Sequence, residues 1–334
     1  MRRDYSIDLF KGFLVIGMIL VHAMQFFANT KISSISEIII NVGNMITFSG
    51  FVFCFGYAVQ ISYMEKNFKE IYLNLAKNCF VTLIAFYISG IAYRLIIGKA
   101  PIETKTIVNV ILLNDIPGWS EFLISFAYIN IATLILFKLF KKIVGSKKIF
   151  FITIIILLLT CFIPYDNIKI NQLGILIGTK NFACFPILQY MPFYILGMYF
   201  KKYNVGLNKK VLCISFLLTS IPVFQYIMTN KIPERFPPSI MWIISPTFIL
   251  YLYFLISKFC EEYRKILGPV IILGQNVLVA LLLSNIFIFT LKSVSKTLVL
   301  DVKYCILLDV ILLSMILFIV KIVYKSPRHK NKES

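Results

Sequence analysis

Apolar residues in this chain collect into long, almost uninterrupted runs divided by short polar connections. Ten such runs cover residues 9–28, 38–63, 80–98, 119–140, 150–164, 184–200, 211–228, 240–258, 267–291 and 304–323. Most approach the roughly 20 residues a helix needs to cross about 30 Å of hydrocarbon. The run at 150–164 is shorter and reads as tilted or partly re-entrant. Thr106–Leu113 is apolar but too brief to cross, so it belongs at the outer interface. A backbone surrounded by lipid must satisfy its own hydrogen bonds, which leaves helices as the form for runs of this length. The pattern predicts an all-α, polytopic membrane bundle of about ten transmembrane helices.

Composition agrees with that picture. Of 334 residues, 59% are hydrophobic and 15% charged, and the mean hydropathy is +0.85, whereas a soluble domain carries about a quarter charged residues. The net charge of +19 raises nucleic acid as a partner, but its distribution excludes that. Basic residues gather at alternate connections: Arg2 and Arg3, Lys66 and Lys69, Lys138 to Lys148, Lys201 to Lys210, Lys258 to Lys265, and the tail from Lys321. This is the positive-inside pattern. It places both termini in the cytoplasm, as an even number of spans requires. The basic tail, residues 324–334, is suited to anionic headgroups.

The first run is expected to be retained rather than cleaved as a signal peptide. Asp8 and Lys11 come late in it, its core is long, and no small-x-small cleavage site follows. Seven cysteines are scattered without metal-ligand spacing, so neither a disulfide nor a metal site is expected. No internal repeat, phosphate-binding loop or separate soluble domain interrupts residues 1–334, which read as one transmembrane domain.

Candidate chemistry begins in "SIDLFKGFLVIGMILVHAMQFF", residues 6–27. His22 lies inside an apolar stretch, where ionisable groups are costly. Lys11 precedes it by eleven residues, about three helical turns or 16 Å, so the two point the same way. Asp8 falls within about 40° of that direction, and Gln25 continues the stripe. A seam of this kind faces other helices or a water-filled cavity. His22 is then either a hydrogen-bonded packing residue or a proton carrier. Two facts favour the second: the other histidine, His329, is in the tail, and His22 shares its seam with two ionisable residues. Neutral imidazole costs far less to bury than a fixed charge, and neutral is the form a general base needs.

The order aspartate, basic–glycine pair, aliphatic run and histidine, here Asp8, Lys11–Gly12 and His22, resembles the first helix of membrane acyltransferases of family three. The family carries arginine where this chain has Lys11, which keeps the charge without the planar fork. "TFSGFVFCFGYAV", "MPFYILGMYFKKY" and "LGQNVLVALLLSNIF" resemble its later helices, with Ser49–Gly50 and with Gly274 and Asn276 at matching steps. Val277 replaces the usual serine, Asn285 stands near a common histidine, and Lys66-x-x-Lys69 stands where the family has Arg-x-x-Arg.

The resemblance implies a multi-pass enzyme of the bacterial plasma membrane. It would transfer an acyl group, usually acetyl, from cytoplasmic acyl-CoA to a hydroxyl or amine of a cell-surface glycan or related acceptor. No bound cofactor is implied; acetyl-CoA is the expected co-substrate. His22, Asp8 and Lys11 become the catalytic candidates. Lys11, Lys66 and Lys69 are acyl-CoA candidates, although positive-inside topology alone accounts for Lys66 and Lys69. Trp119, Glu121 and Arg94 are acceptor-binding candidates. For Arg94 the plainer reading is a snorkelling interface residue, and for Glu121 a carboxylate at a helix start. The loop 230–242, with Glu234 and Arg235, is expected to shape the acceptor entrance. The alternative function is a transporter or flippase using the same seam without acyl chemistry, although the two related halves common in transporters are not seen.

Overall fold

The computed structural model describes residues 3–29, 34–101 and 103–324. The basic tail from 325 onward, His329 included, lies outside the described residues. In chain order the helices are α1 (Tyr5–Phe27), α2 (Ser34–Ser62), α3 (Phe68–Ile96), α4 (Thr104–Ile111), α5 (Glu121–Ile135), α6 (Phe137–Gly145), α7 (Lys147–Leu159) and α8 (Asn171–Ile177). They continue as α9 (Ile187–Lys202), α10 (Lys209–Thr229), α11 (Ile240–Ile244), α12 (Thr247–Cys260), α13 (Gly268–Gln275), α14 (Val277–Val294) and α15 (Val302–Tyr324). The described residues contain no strand beyond two isolated bridges. The protein is all-helical.

Among the described residues seven segments are long and apolar enough to cross a membrane: α1, α2, α3, α10, Ile240–Tyr263, α14 and α15. α5 and α6 form an eighth if taken together, broken by a bend of 81°. The bend revises the expected run at 119–140, and the side chains explain it. Phe137, Phe140, Ile143 and Val144 are buried on one face of α6, while Lys138, Lys141 and Lys142 are exposed on the other. A helix so divided lies along an interface more readily than through hydrocarbon. α7 and α9 have 13 and 16 residues, shorter than the seven.

The run at 267–291 is interrupted at Asn276. Its side-chain amide donates to the Ile272 carbonyl at 2.8 Å and its backbone N–H to Leu273 at 3.1 Å. This tightens the last turn of α13 and lets α14 start anew.

The chain resolves into two compact units, residues 1–47 with 256–334 and residues 48–255. In the first, α1 is surrounded by α13, α14 and α15. Its C-terminal end is tied by the Leu300 N–H donating to the Phe27 carbonyl at 2.7 Å. Its N-terminal end is tied by the Tyr5 N–H donating to Glu261 Oε1 at 3.1 Å. α1 and α13 meet backbone to backbone: a Cβ at Gly12 would overlap the Val270 carbonyl, and one at Gly274 would overlap that of Asp8.

The second unit uses the same device. A Cβ at Gly56 of α2 would overlap the Tyr194 carbonyl of α9, and one at Gly197 would overlap that of Phe53. Small residues let membrane helices approach closely enough for dispersion to hold them. Rings fill the space around this crossing. Phe48 stacks on Phe185 at 4.2 Å and meets Tyr190 edge-on at 4.6 Å, and Phe53 packs edge-on to Phe200 and Phe254.

Candidate active site

In the first unit, Asp8 sits in the opening turn of α1, where a carboxylate suits the positive end of the helix dipole. It is 5% exposed, and three donors share its charge. Lys11 Nζ lies 2.8 Å from Oδ1, Arg3 Nε donates to Oδ2 at 3.0 Å, and Gln275 Nε2 donates to Oδ2 at 3.2 Å. Gln275 ends α13 beside Gly274, so the close backbone approach is what brings its amide to Asp8. A buried carboxylate is tolerable only with such partners.

The structure thus joins Asp8 and Lys11 as the sequence spacing suggested. His22 is half-buried further along α1. One turn on, Phe26 packs against Phe289 of α14 at 5.8 Å. Among the buried polar residues of this unit are Asn285 on α14 and Asp309 on α15. Asp309 falls on the buried stripe Cys305, Asp309, Leu312, Ile316, Val320, and its Oδ1 has no hydrogen-bond partner within the protein. Counting from the Phe27–Leu300 junction at 1.5 Å per residue places His22 and Asp309 within about one helical turn of the same depth.

Gln275 and Asp309 were not singled out in the sequence. Asp309 had a readable signal, as the one acidic residue inside the last apolar run. Gln275 had none apart from the glycine before it.

The second unit holds the remaining candidates. Arg94 Nε donates to Asp115 Oδ2 at 2.7 Å and its Nη2 pairs with Oδ1, a bidentate ion pair. This pair ties the end of α3 to the loop before α5. Trp119 holds a left-handed backbone at φ +68°, which turns the chain into α5. Glu121 follows, its Oε2 buried without a hydrogen-bond partner and facing the charge of Arg235.

The Arg235 guanidinium lies over the rings of Phe236, Phe185 and Trp242 at 4.5, 5.2 and 5.9 Å. Burial holds its pKa below the usual arginine value, opposed by Tyr190 and Glu121. Trp242 Nε1 donates to the Tyr190 hydroxyl at 2.9 Å. The result is an aromatic enclosure with a carboxylate oxygen and a guanidinium nitrogen, Nε, left without partners. Lys66 and Lys69 are exposed, in the α2–α3 connection and the first turn of α3, and neither is ion-paired within the described residues. Among the described residues no three His, Cys, Asp or Glu side chains gather as a metal site would require.

Repeated apolar helices, glycine-mediated crossings and a charged, histidine-bearing seam define a multi-pass membrane protein built around intramembrane polar groups. The chain belongs to the acyltransferase domain family, whose model matches residues 4–323. It is a membrane acyltransferase. No curated protein and no solved structure matches it.

Proposed function

We propose that this acyltransferase moves an acyl group, acetyl in the simplest case, from cytoplasmic acyl-CoA to a hydroxyl or amine of a cell-surface glycan or related acceptor. The supporting observation is the α1 seam, a buried Asp8–Lys11–Gln275 cluster with His22 about 16 Å further along one face. The alternating basic connections support ten crossings of a bacterial plasma membrane with both termini in the cytoplasm. That arrangement sets the Asp8 cluster at the donor side and His22 toward the acceptor.

His22 acts as general base. The acceptor oxygen or nitrogen attacks the thioester carbonyl while its proton passes to the imidazole. As the carbon–sulfur bond breaks, the proton goes on to the departing CoA thiolate, leaving ester or amide, CoA thiol and neutral histidine. Asp8 fixes Lys11, whose remaining N–H groups meet donor phosphates while the thioester reaches along the seam toward His22. Lys66 and Lys69 add point charges for phosphates. Trp119 and Glu121, with Arg235, receive the acceptor, and Arg94 positions them through Asp115. Asp309, buried at about the depth of His22, is the residue we assign to positioning the imidazole.

The test is to incubate purified protein with labelled acetyl-CoA and follow thioester turnover and acyl transfer. Turnover by the wild type that is lost in His22→Gln supports the assignment. Transport of an acceptor without turnover would mean a flippase. Asp309→Asn should lower kcat while leaving the acceptor KM unchanged; an unaltered kcat removes Asp309 from the site.

A further inference from the structure

A cavity of about 230 Å³ opens in the second unit between α7, α9, α10 and α12. Phe151, Leu196, Ile214, Leu218 and Leu250 are among its walls. Three hydroxyls on its lining residues are occupied by the protein's own backbone. Ser215 donates to the Leu212 carbonyl at 3.0 Å, Thr247 to Ile244 at 2.8 Å, and Tyr251 to Gly206 at 2.9 Å. The cavity therefore suits hydrocarbon and has little to offer a polar guest.

One end of it is strongly basic. α7 and α10 each begin with two lysines, Lys147–Lys148 and Lys209–Lys210, and α9 ends with Lys201–Lys202. The lining residues Phe150, Phe200 and Val211 adjoin those pairs, so the three basic helix ends share one side of the cavity. Lys147 and Lys202 converge on the ring of Tyr203, 5.8 and 5.9 Å from its centroid. Lys147, Lys148, Lys202, Lys209 and Lys210 are exposed, and none is ion-paired within the described residues. No Asp or Glu occurs between Glu121 and Asp166 or between Asp166 and Glu234. Positive-inside topology accounts for lysines near a membrane face, but it does not require an apolar recess opening beneath them.

We propose that this recess is a binding site for an anionic phospholipid, with an acyl tail in the cavity and the phosphate headgroup among the lysines of α7, α9 and α10. Basic pockets between membrane helices recognise lipid headgroups in this way, and α7, α9 and α10 bring no carboxylate of their own to offset the lysines.

The experiment uses full-length protein in detergent, offered phosphatidylglycerol or phosphatidylcholine, with retained lipid counted by native mass spectrometry. The wild type should hold phosphatidylglycerol at least about tenfold better. Replacing Lys147, Lys202, Lys209 and Lys210 by glutamine should abolish that preference, since each lysine contributes several-fold near an anionic headgroup. Leu218→Trp, which fills the cavity without altering charge, should lose retention of both lipids. In the unaltered protein, phosphatidylglycerol with a photoreactive tail should label peptides of α7 and α10, which keeps the test independent of any variant's folding.

Retention by Leu218→Trp equal to wild type, or labelling spread evenly over all helices, would overturn the site in favour of general lipid contact. Displacement of the lipid by CoA or inorganic phosphate at equal concentration would overturn it by assigning the lysines to a soluble phosphate.

Discussion

The α1–α13 and α2–α9 crossings are built on the same device and used for different ends. Each brings two backbones together through a glycine on either helix, Gly12 with Gly274 and Gly56 with Gly197. At the first, the neighbouring side chains are Asp8, Lys11 and Gln275. At the second they are Phe53, Tyr57, Tyr194 and Phe200, with no charge among them. Close approach alone therefore does not call for polar chemistry. An ionic cluster buried at one crossing, where rings suffice at the other, points to work beyond holding helices together. Replacing buried ion pairs by apolar residues is often neutral or stabilising, so an ionic cluster is hard to explain by stability alone.

The largest effect expected on the charged side is at His22. His22→Ala should lower acyl transfer by about 100- to 10,000-fold, the usual range for a general base, while the protein stays monodisperse in detergent. His22→Gln keeps a hydrogen-bonding group and should lose nearly as much. Near-full activity in a well-folded His22→Gln would reduce the seam to packing, and the contrast between the crossings would vanish.

Next come the glycines, where the two crossings should behave alike. Gly274→Ala and Gly56→Ala each force a methyl group against a carbonyl that cannot move independently of its helix. Overpacking of this kind costs about 1–3 kcal/mol, and thermal unfolding should register both. A Gly274→Ala protein of wild-type stability would mean that α13 is free to shift, and the positioning of Gln275 would need another cause.

Lys11 separates function from stability. Lys11→Ala should raise the KM for acyl-CoA by about tenfold, the scale of one charge-assisted contact, with little change in the acceptor KM. Lys11→Arg should retain or improve donor use, because the guanidinium adds a bidentate grip. Unchanged donor kinetics in Lys11→Ala would leave Lys11 as an interfacial anchor.

The smallest effect belongs to the aromatic side. The Tyr194 hydroxyl meets that of Thr133 at 2.7 Å, and Thr133 already donates to Ile129 at 2.7 Å. Tyr194→Phe therefore strands no donor and should cost about 1 kcal/mol of stability with activity intact. A marked loss of activity would draw the second crossing into the reaction.

Much of this was legible in the sequence because it is local. Helical spacing alone put Asp8, Lys11 and His22 on one face, and the pairing of Asp8 with Lys11 is a contact one turn apart. The bend after Ile135 was also readable, in Phe137, Phe140 and Val144 set against Lys138, Lys141 and Lys142. Averaging hydropathy over a whole window hid it, because a run's mean does not distinguish a crossing helix from one lying flat. The partners of Asp8 and Arg94 were less accessible. Gln275 and Asp115 are ordinary polar residues near helix ends, and only the folded chain shows which charge each one meets.

Asp8 and Gln275 are 267 positions apart, and that separation has a consequence for biosynthesis. At about 5–20 residues per second, α1 enters the bilayer tens of seconds before α13 has been made. During that interval its carboxylate depends on Arg3 and Lys11, both within five residues of it. The early segment thus carries its own counter-ions, so a helix with a buried acid can wait in the membrane for the last quarter of the protein to arrive.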